Sequence, residues 1–460
     1  MNSDPITATA WAAETQLSRS LRSRHVMMIT IGGIIGAGLF VGSSAAIASV
    51  GPAVILSYFI AGFVVLLVMR MLSEMASATP GLGSFTEYVR LGLGNWAGFM
   101  SGWLYWYFWV VVVAIEAIAG GTILHEWITL PVWAIVLVLM TLLTAVNLMS
   151  ARSYGEFEFW FASIKVAAIV IFILIAGAYA FGLTSPAGSS FANLHASGGF
   201  APFGWTAVFV GMTTVVFSLC GAEIATVAAV EANESTQVIS RMSSAIILRI
   251  LLFYVLSIFL IVSVVPWSEV VPGHSPFALT LTRMHIPGAA IIMNLIVLTA
   301  VLSCLNSGVY ITSRVLFALA AKGDAPQSMI ALSKRRVPAR AILIGSSFGF
   351  LAVVLSVVSP EKVFAYLVNA SGSLMIIIYL MTCFAHLKLR RKMERETPER
   401  LSIRMWFFPW LSVLAIAAML AVLAAMAVTP AHAQEFYASL VCVVVVGLAY
   451  AIRQRGRRAT

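Results

Sequence analysis

Apolar residues gather in twelve runs, near 26–49, 52–73, 97–123, 132–150, 158–182, 204–231, 243–266, 286–320, 341–358, 361–387, 405–428 and 436–452. An α-helix needs about 20 mostly apolar residues to cross a bilayer, and these runs are of that order. The pattern predicts an all-α integral membrane protein with twelve transmembrane helices. The eighth run is too long for one straight span and is expected to project into the cytosol. Polar and small residues interrupt two of the runs, and those interruptions carry most of the chemistry.

Composition narrows the class. Apolar residues make up 61% of the 460 residues and charged residues only 10%, where a soluble domain carries roughly 25% charged residues. With both termini inside, the cytoplasmic segments hold Arg19, Arg22, Arg24, Arg70, Arg90, Arg152, Arg241, Lys322, Lys334, Arg335, Arg336 and Arg340. They also hold the Lys388–Arg404 cluster and Arg453–Arg458, whereas the outer loops hold only Arg283 and Lys362. This bias follows the positive-inside rule. It accounts for the net charge of +10 without a nucleic-acid partner. No secretory leader is expected in polar Met1–His25, so the first span should serve as its own insertion signal. Cys220, Cys304, Cys383 and Cys442 lie within apolar runs and read as small core residues. They have no disulfide, metal or cofactor spacing.

The first interruption is Ile31-Gly-Gly-Ile-Ile-Gly-Ala-Gly-Leu-Phe-Val-Gly42, with five glycines inside a span. A lipid-exposed helix must satisfy its backbone internally, so such a cluster suits a deliberate break whose peptide groups line a polar cavity. The alternative is close helix packing of the Gly-x-x-x-Gly kind. The second interruption lies five spans on, at Phe217-Ser-Leu-Cys-Gly-Ala-Glu-Ile-Ala-Thr226. Two breaks at matching places predict a 5+5 inverted repeat with discontinuous helices 1 and 6. The repeats would be 26–182 and 204–387, with additional spans 405–428 and 436–452, in one membrane transport domain covering 1–460.

Several stretches resemble the amino acid transporter family of the amino acid–polyamine–organocation superfamily. They are Ser23-to-Ser43 with Gly51-Pro-Ala, Gly81-Leu-Gly-Ser-Phe-Thr-Glu-Tyr-Val, Tyr154-Gly-Glu-Phe-Glu-Phe-Trp, Phe217-to-Glu231 and Ser303-Cys-Leu-Asn-Ser. Gly102-Trp-Leu-Tyr-Trp-Tyr-Phe-Trp109, Gly323-Asp-Ala-Pro and Arg404-Met-Trp-Phe-Phe-Pro-Trp are similar to the bacterial 4-aminobutyrate (GABA) permeases within it. The resemblance implies a bacterial inner-membrane carrier for an amino acid.

A zwitterion needs both charges matched once it leaves water. Backbone N–H groups at Gly36, Ala37 and Gly38 suit the carboxylate. Carbonyls around Phe217, Ser218, Cys220 and Gly221 suit the ammonium, with Glu223 as a charge partner. Selectivity is expected from Glu116, Ser303, Asn306 and Asn369 on spans three, eight and ten. Lys165 lies about a third of the way into span five, where an ammonium costs ~2.5–3.5 kcal/mol at the bilayer centre. The resemblance implies that this lysine occupies the coupling-cation position of sodium-driven relatives, touching Gly33, Ile34 and Ser303. The competing reading is a lysine snorkelling to the cytoplasmic headgroups.

Glu116 and Glu223 are intramembrane carboxylates, hence candidates for proton coupling or for hydrogen-bonded structural acids. Glu74, Glu231, Arg249 and Arg314 read as interfacial or gating ion pairs. Most rings of the run Trp103–Trp109 are expected to face lipid or neighbouring spans. No HExxH, GxSxG or P-loop points to an enzyme or to nucleotide-driven pumping, and no repeated pore motif points to a channel. The expected activity is proton-coupled symport of GABA or a close relative. Proline, alanine or glycine, aromatic or D-amino acids, and exchange, stay open.

Overall fold

The computed structural model describes residues 23–79, 82, 84–149, 151–184, 191–224, 236–355, 357 and 360–459. The described residues form helices and connecting turns with no strand among them. The N-terminal half contains α1 (Ser23–Ile34), α2 (Ala37–Phe40), α3 (Gly42–Val50), α4 (Val54–Ala78), α5 (Phe85–Leu93), α6 (Asn95–His125), α7 (Val132–Asn147) and α8 (Ala151–Ala180). The rest contains α9 (Trp205–Leu219), α10 (Thr236–Val264), α11 (Pro276–Arg283), α12 (Ala289–Ala321), α13 (Ala339–Leu355), α14 (Pro360–Glu396), α15 (Trp410–Val428) and α16 (Pro430–Ala459).

Among the described residues, seven helical segments are long and apolar enough to cross a membrane: Ala37–Ala78, Asn95–His125, Glu158–Ala180, Ala289–Ala321, Val363–Glu396, Trp410–Val428 and Pro430–Gly456. Four shorter apolar helices accompany them: Val132–Asn147, Trp205–Leu219, Leu248–Val264 and Ala339–Phe350. Large apolar side chains such as Trp160, Leu174, Leu252 and Ile292 are exposed at the periphery. So much apolar surface requires an apolar solvent. At 33 residues α12 is about 50 Å long at 1.5 Å per residue, well beyond the hydrocarbon thickness. The eleventh apolar run starts as helix only at Trp410, after Pro409 at the cap; proline has no N–H to give a helix interior.

The centre is built from α6, which packs along α12 and also against α13 and α14, while α1 lies on α8 and α9 lies on α4 and α14. α1 and α9, which end at the two breaks, border this centre. The ladder of α1 ends with the bond from Ile35 N to Ile31 O, and the chain is then extended at Gly36 (φ −131°, ψ −153°) before α2 begins. α9 ends at Leu219; Cys220 is extended (φ −64°, ψ 149°) and Gly221 has φ +116°. Only glycine adopts that φ freely. A Cβ on Gly221 would stand 2.7 Å from the carbonyl carbon and oxygen of Gly33. The two breaks therefore meet backbone to backbone. Span six as expected runs to 231, and its portion beyond Ile224, including Glu231, lies outside the described residues.

Candidate substrate and coupling site

A helix leaves its last four carbonyls without intrahelical partners. In α1 those of Gly32, Gly33 and Ile34 are met by side chains from three other helices. Lys165 Nζ of α8 donates to Gly32 O at 2.8 Å. The Cys304 thiol of α12 lies 3.6 Å from Gly33 O. The Tyr254 hydroxyl of α10 lies 3.0 Å from Ile34 O and also 3.0 Å from Ser218 O of the second break. One phenol thus spans both interruptions.

Lys165 is fully buried. Its ammonium also donates to Ser303 Oγ at 2.7 Å and stands 3.8 Å from Glu158 Oε1. Ser303 in turn donates to the same Glu158 oxygen. The hydroxyl thus accepts from the cation and donates to the anion, the polarity a proton relay needs. The side chain is spent inside the protein, on Gly32 O, Ser303 and Glu158. Its carbonyl partner is Gly32, not the Gly33 and Ile34 that the resemblance implied, because Cys304 and Tyr254 hold those two carbonyls. Glu158 is one of the residues that sequence reasoning missed, as is Tyr254. Glu158 precedes Lys165 by seven positions, two helical turns, which places both on one face of α8. That spacing was the available signal. Gly32 makes the approach possible, since a Cβ there would fall 1.7 Å from Glu158 Oε1.

Glu116 of α6 is buried beside the first break. Its two oxygens accept the Ala37 N–H at 3.0 and 3.1 Å. The amide expected to take a substrate carboxylate therefore holds one of the protein's own. The Gly36 N–H lies 3.2 Å from Ile34 O. Gly38 packs on the second break, where a Cβ would stand 2.7 Å from Ser218 Cα.

At the second break, Glu223 accepts the Gly221 N–H with both oxygens at 3.2 Å. It also accepts the hydroxyls of Tyr105 (3.2 Å) and Tyr379 (3.0 Å), from α6 and α14. Tyr105 belongs to the aromatic run of α6, in which Tyr107 is exposed while Tyr105, Phe108 and Trp109 are buried. Ser218 Oγ and Cys220 Sγ donate back to the Val215 and Val216 carbonyls, and Phe217 stacks edge-on against Phe108.

Two expected selectivity residues are hydrogen-bonded to other side chains. Asn369 accepts from Thr214 Oγ1 at 2.7 Å and donates to Glu435 Oε1 at 3.3 Å, at the seam of α9, α14 and α16. Asn306 accepts from Asn147 at 2.7 Å, joining α12 to α7. A buried amide settles where polar partners are, and each has its partners on neighbouring helices. Glu74 is a buried pair member, as expected, with His386 (3.1 Å) and Arg390 (2.8 Å) of α14. Arg314 stacks over Tyr310 at 4.1 Å, and Arg249 is exposed.

The described residues bring together two facing backbone gaps, a buried ammonium–carboxylate pair behind the first and a buried carboxylate at the second. The family described as "Amino acid permease" matches residues 25–460. The chain is 44% identical to the gamma-aminobutyric acid permease of Bacillus subtilis (strain 168) over 96% of its own length and 94% of that protein. It is 43% identical to the gamma-aminobutyric acid permease of Escherichia coli (strain K12) over 91% of each. It is 37% identical to the aromatic amino acid transport protein AroP of Salmonella typhimurium (strain LT2) over 96% of each. The chain belongs to the amino acid permease family.

Proposed function

We propose that the protein is a proton-coupled symporter for 4-aminobutyrate or a closely related amino acid in the bacterial inner membrane, working by alternating access around the two breaks. The observation that carries this reading is the backbone contact of the breaks with Lys165 bonded into the first of them. The higher identity to the gamma-aminobutyric acid permeases than to the aromatic carrier favours the shorter, unbranched substrate.

The architecture that goes with this reading is one transport domain of twelve spans with both termini cytoplasmic. Repeats 26–182 and 204–387 would be followed by two further spans. Every one of the twelve apolar runs carries helix in the described residues, which supports the span count. The matching positions of the two breaks, each in the first span of its half, support the repeat.

In this scheme the substrate carboxylate is received at Gly36, Ala37 and Gly38. The ammonium is received by carbonyls from Phe217 to Gly221 with Glu223 behind them. Glu116 and an incoming carboxylate compete for the Ala37 N–H, so loading requires Glu116 to yield that amide, and uptake of a proton is the simplest way. Lys165, Glu158 and Ser303 form the second titrating group, tied to the Gly32 carbonyl. Proton exchange there alters what holds the end of α1.

Competition by a panel of α- and ω-amino acids for uptake into proteoliposomes, with and without a protonophore, tests the proposal. We expect ω-amino acids with a short unbranched chain to compete best and the protonophore to abolish accumulation. A sodium requirement without pH dependence would remove proton coupling. Glu223→Gln is expected to weaken substrate binding by roughly tenfold or more, the scale of one charge-assisted hydrogen bond, while the protein still folds on its tyrosine contacts. Unchanged affinity in a binding assay would leave the ammonium to the carbonyls alone.

A further inference from the structure

We propose that the groove between the α5–α6 corner and the basic end of α14 binds the headgroup of an anionic phospholipid. This inference needs the protein in a bilayer and is independent of the substrate and coupling readings. The groove is a cavity of about 690 Å³ lined by Leu93, Trp96, Phe384, Leu387 and the cations Lys388, Arg391, Lys392 and Arg395, with Glu396 as its one acid. Phe384, Lys388, Arg391 and Arg395 follow one another at helical spacing. They form a stripe about 16 Å long at 1.5 Å per residue. The opposite face of α14 is buried and committed elsewhere: His386 and Arg390 pair with Glu74, and Arg390 also with Glu394 at 2.9 Å.

The chemistry of the groove is that of an amphiphile. Lys392 reaches Glu396 at 3.8 Å, both exposed, whereas Lys388, Arg391 and Arg395 have no ion pair among the described residues. Below this charge, toward the apolar part of α14, stand Trp96 and Phe384, exposed by 48% and 45%. Cations over apolar and aromatic side chains at the end of a span match a phosphate with acyl chains beneath it. A soluble anion would leave that apolar half unmatched.

Native mass spectrometry of the full chain, released from bilayers of phosphatidylcholine with and without phosphatidylglycerol, tests this. The variant is Lys388→Gln/Arg391→Gln/Arg395→Gln, and Lys334→Gln/Arg335→Gln/Arg336→Gln removes the same charge from an exposed loop. We expect wild type and the loop variant to retain phosphatidylglycerol in preference to phosphatidylcholine. The groove variant should retain it roughly a hundredfold less, at about fivefold per cation. Equal retention by the groove variant overturns the proposal, as does equal loss by the loop variant, which would reduce the effect to net charge. Displacement of the lipid by glycerol phosphate at matched concentration overturns it too, and makes this a soluble-anion site. A second readout needs no charge variant. Brominated phosphatidylglycerol should quench the fluorescence that Trp96→Phe removes, and brominated phosphatidylcholine should not; equal quenching by both speaks against the site.

Discussion

Replacing Lys165 by alanine is expected to leave counterflow of labelled substrate near the wild-type rate while uphill accumulation falls to the equilibrium ratio of one. The driving force that disappears is large. One proton crossing with a zwitterion gains about tenfold accumulation per pH unit and about 2.3 kcal/mol for each 100 mV of membrane potential. The structure also sets the control. Lys165 and Glu158 are both fully buried, and breaking a buried pair by removing one partner costs about 3–5 kcal/mol through the charge left behind. Lys165→Ala alone could therefore lose activity by unfolding. Lys165→Ala/Glu158→Gln removes both charges and should restore thermal stability without restoring accumulation. If the double variant accumulates substrate against a gradient, the coupling role of this pair is gone. Glu158→Gln alone leaves the ammonium held by Gly32 and Ser303. It is expected to keep transport but to shift its pH profile, and an unshifted profile would make Glu158 a packing residue.

Gly221→Ala is expected to abolish uptake in a protein that still reaches the membrane. Two effects combine. Left-handed or wider positive φ costs a non-glycine residue about 1–3 kcal/mol, and Gly221 stands at φ +116°. The added methyl would lie 2.7 Å from the peptide of Gly33, so the breaks must part. Gly177 makes the comparison: it lies within α8 with nothing near its missing Cβ, and Gly177→Ala should be neutral or slightly stabilising. Near-normal uptake by Gly221→Ala would mean the two gaps need not touch for the carrier to work.

The two gaps were legible because glycine and polar residues inside an apolar run contradict the run itself. The breaks fall at Ile35–Gly36 and Cys220–Gly221, within the stretches the sequence singled out. The all-helical class was legible for the same reason, read in the opposite sense. Which side of each helix faces inward was not. Where a helix is apolar all round, periodicity says nothing about orientation, so Asn306 and Asn369 were expected at the breaks and pair instead with Asn147, Thr214 and Glu435. Tyr254 carried no local signal at all; its place follows from how α10 packs on α1 and α4, a property of the assembled bundle. Glu158 was hidden for another reason. An acid near the start of a span looks interfacial until the lysine two turns later is considered with it.

The hydroxyl shared by Ile34 and Ser218 has an arithmetic consequence. A phenol has one hydrogen, and two carbonyl oxygens stand equally near it, so at every instant it serves only one of them. Ile34 O also accepts the Gly36 N–H at 3.2 Å, so it is the Ser218 oxygen that depends on the phenol and loses it when Tyr254 turns away. On the proposed transport reading, a cationic guest at the Ser218 oxygen would take the phenol's place there and leave Tyr254 to Ile34. Occupancy would then be felt, on that reading, as a change in which of the two chain segments the tyrosine holds.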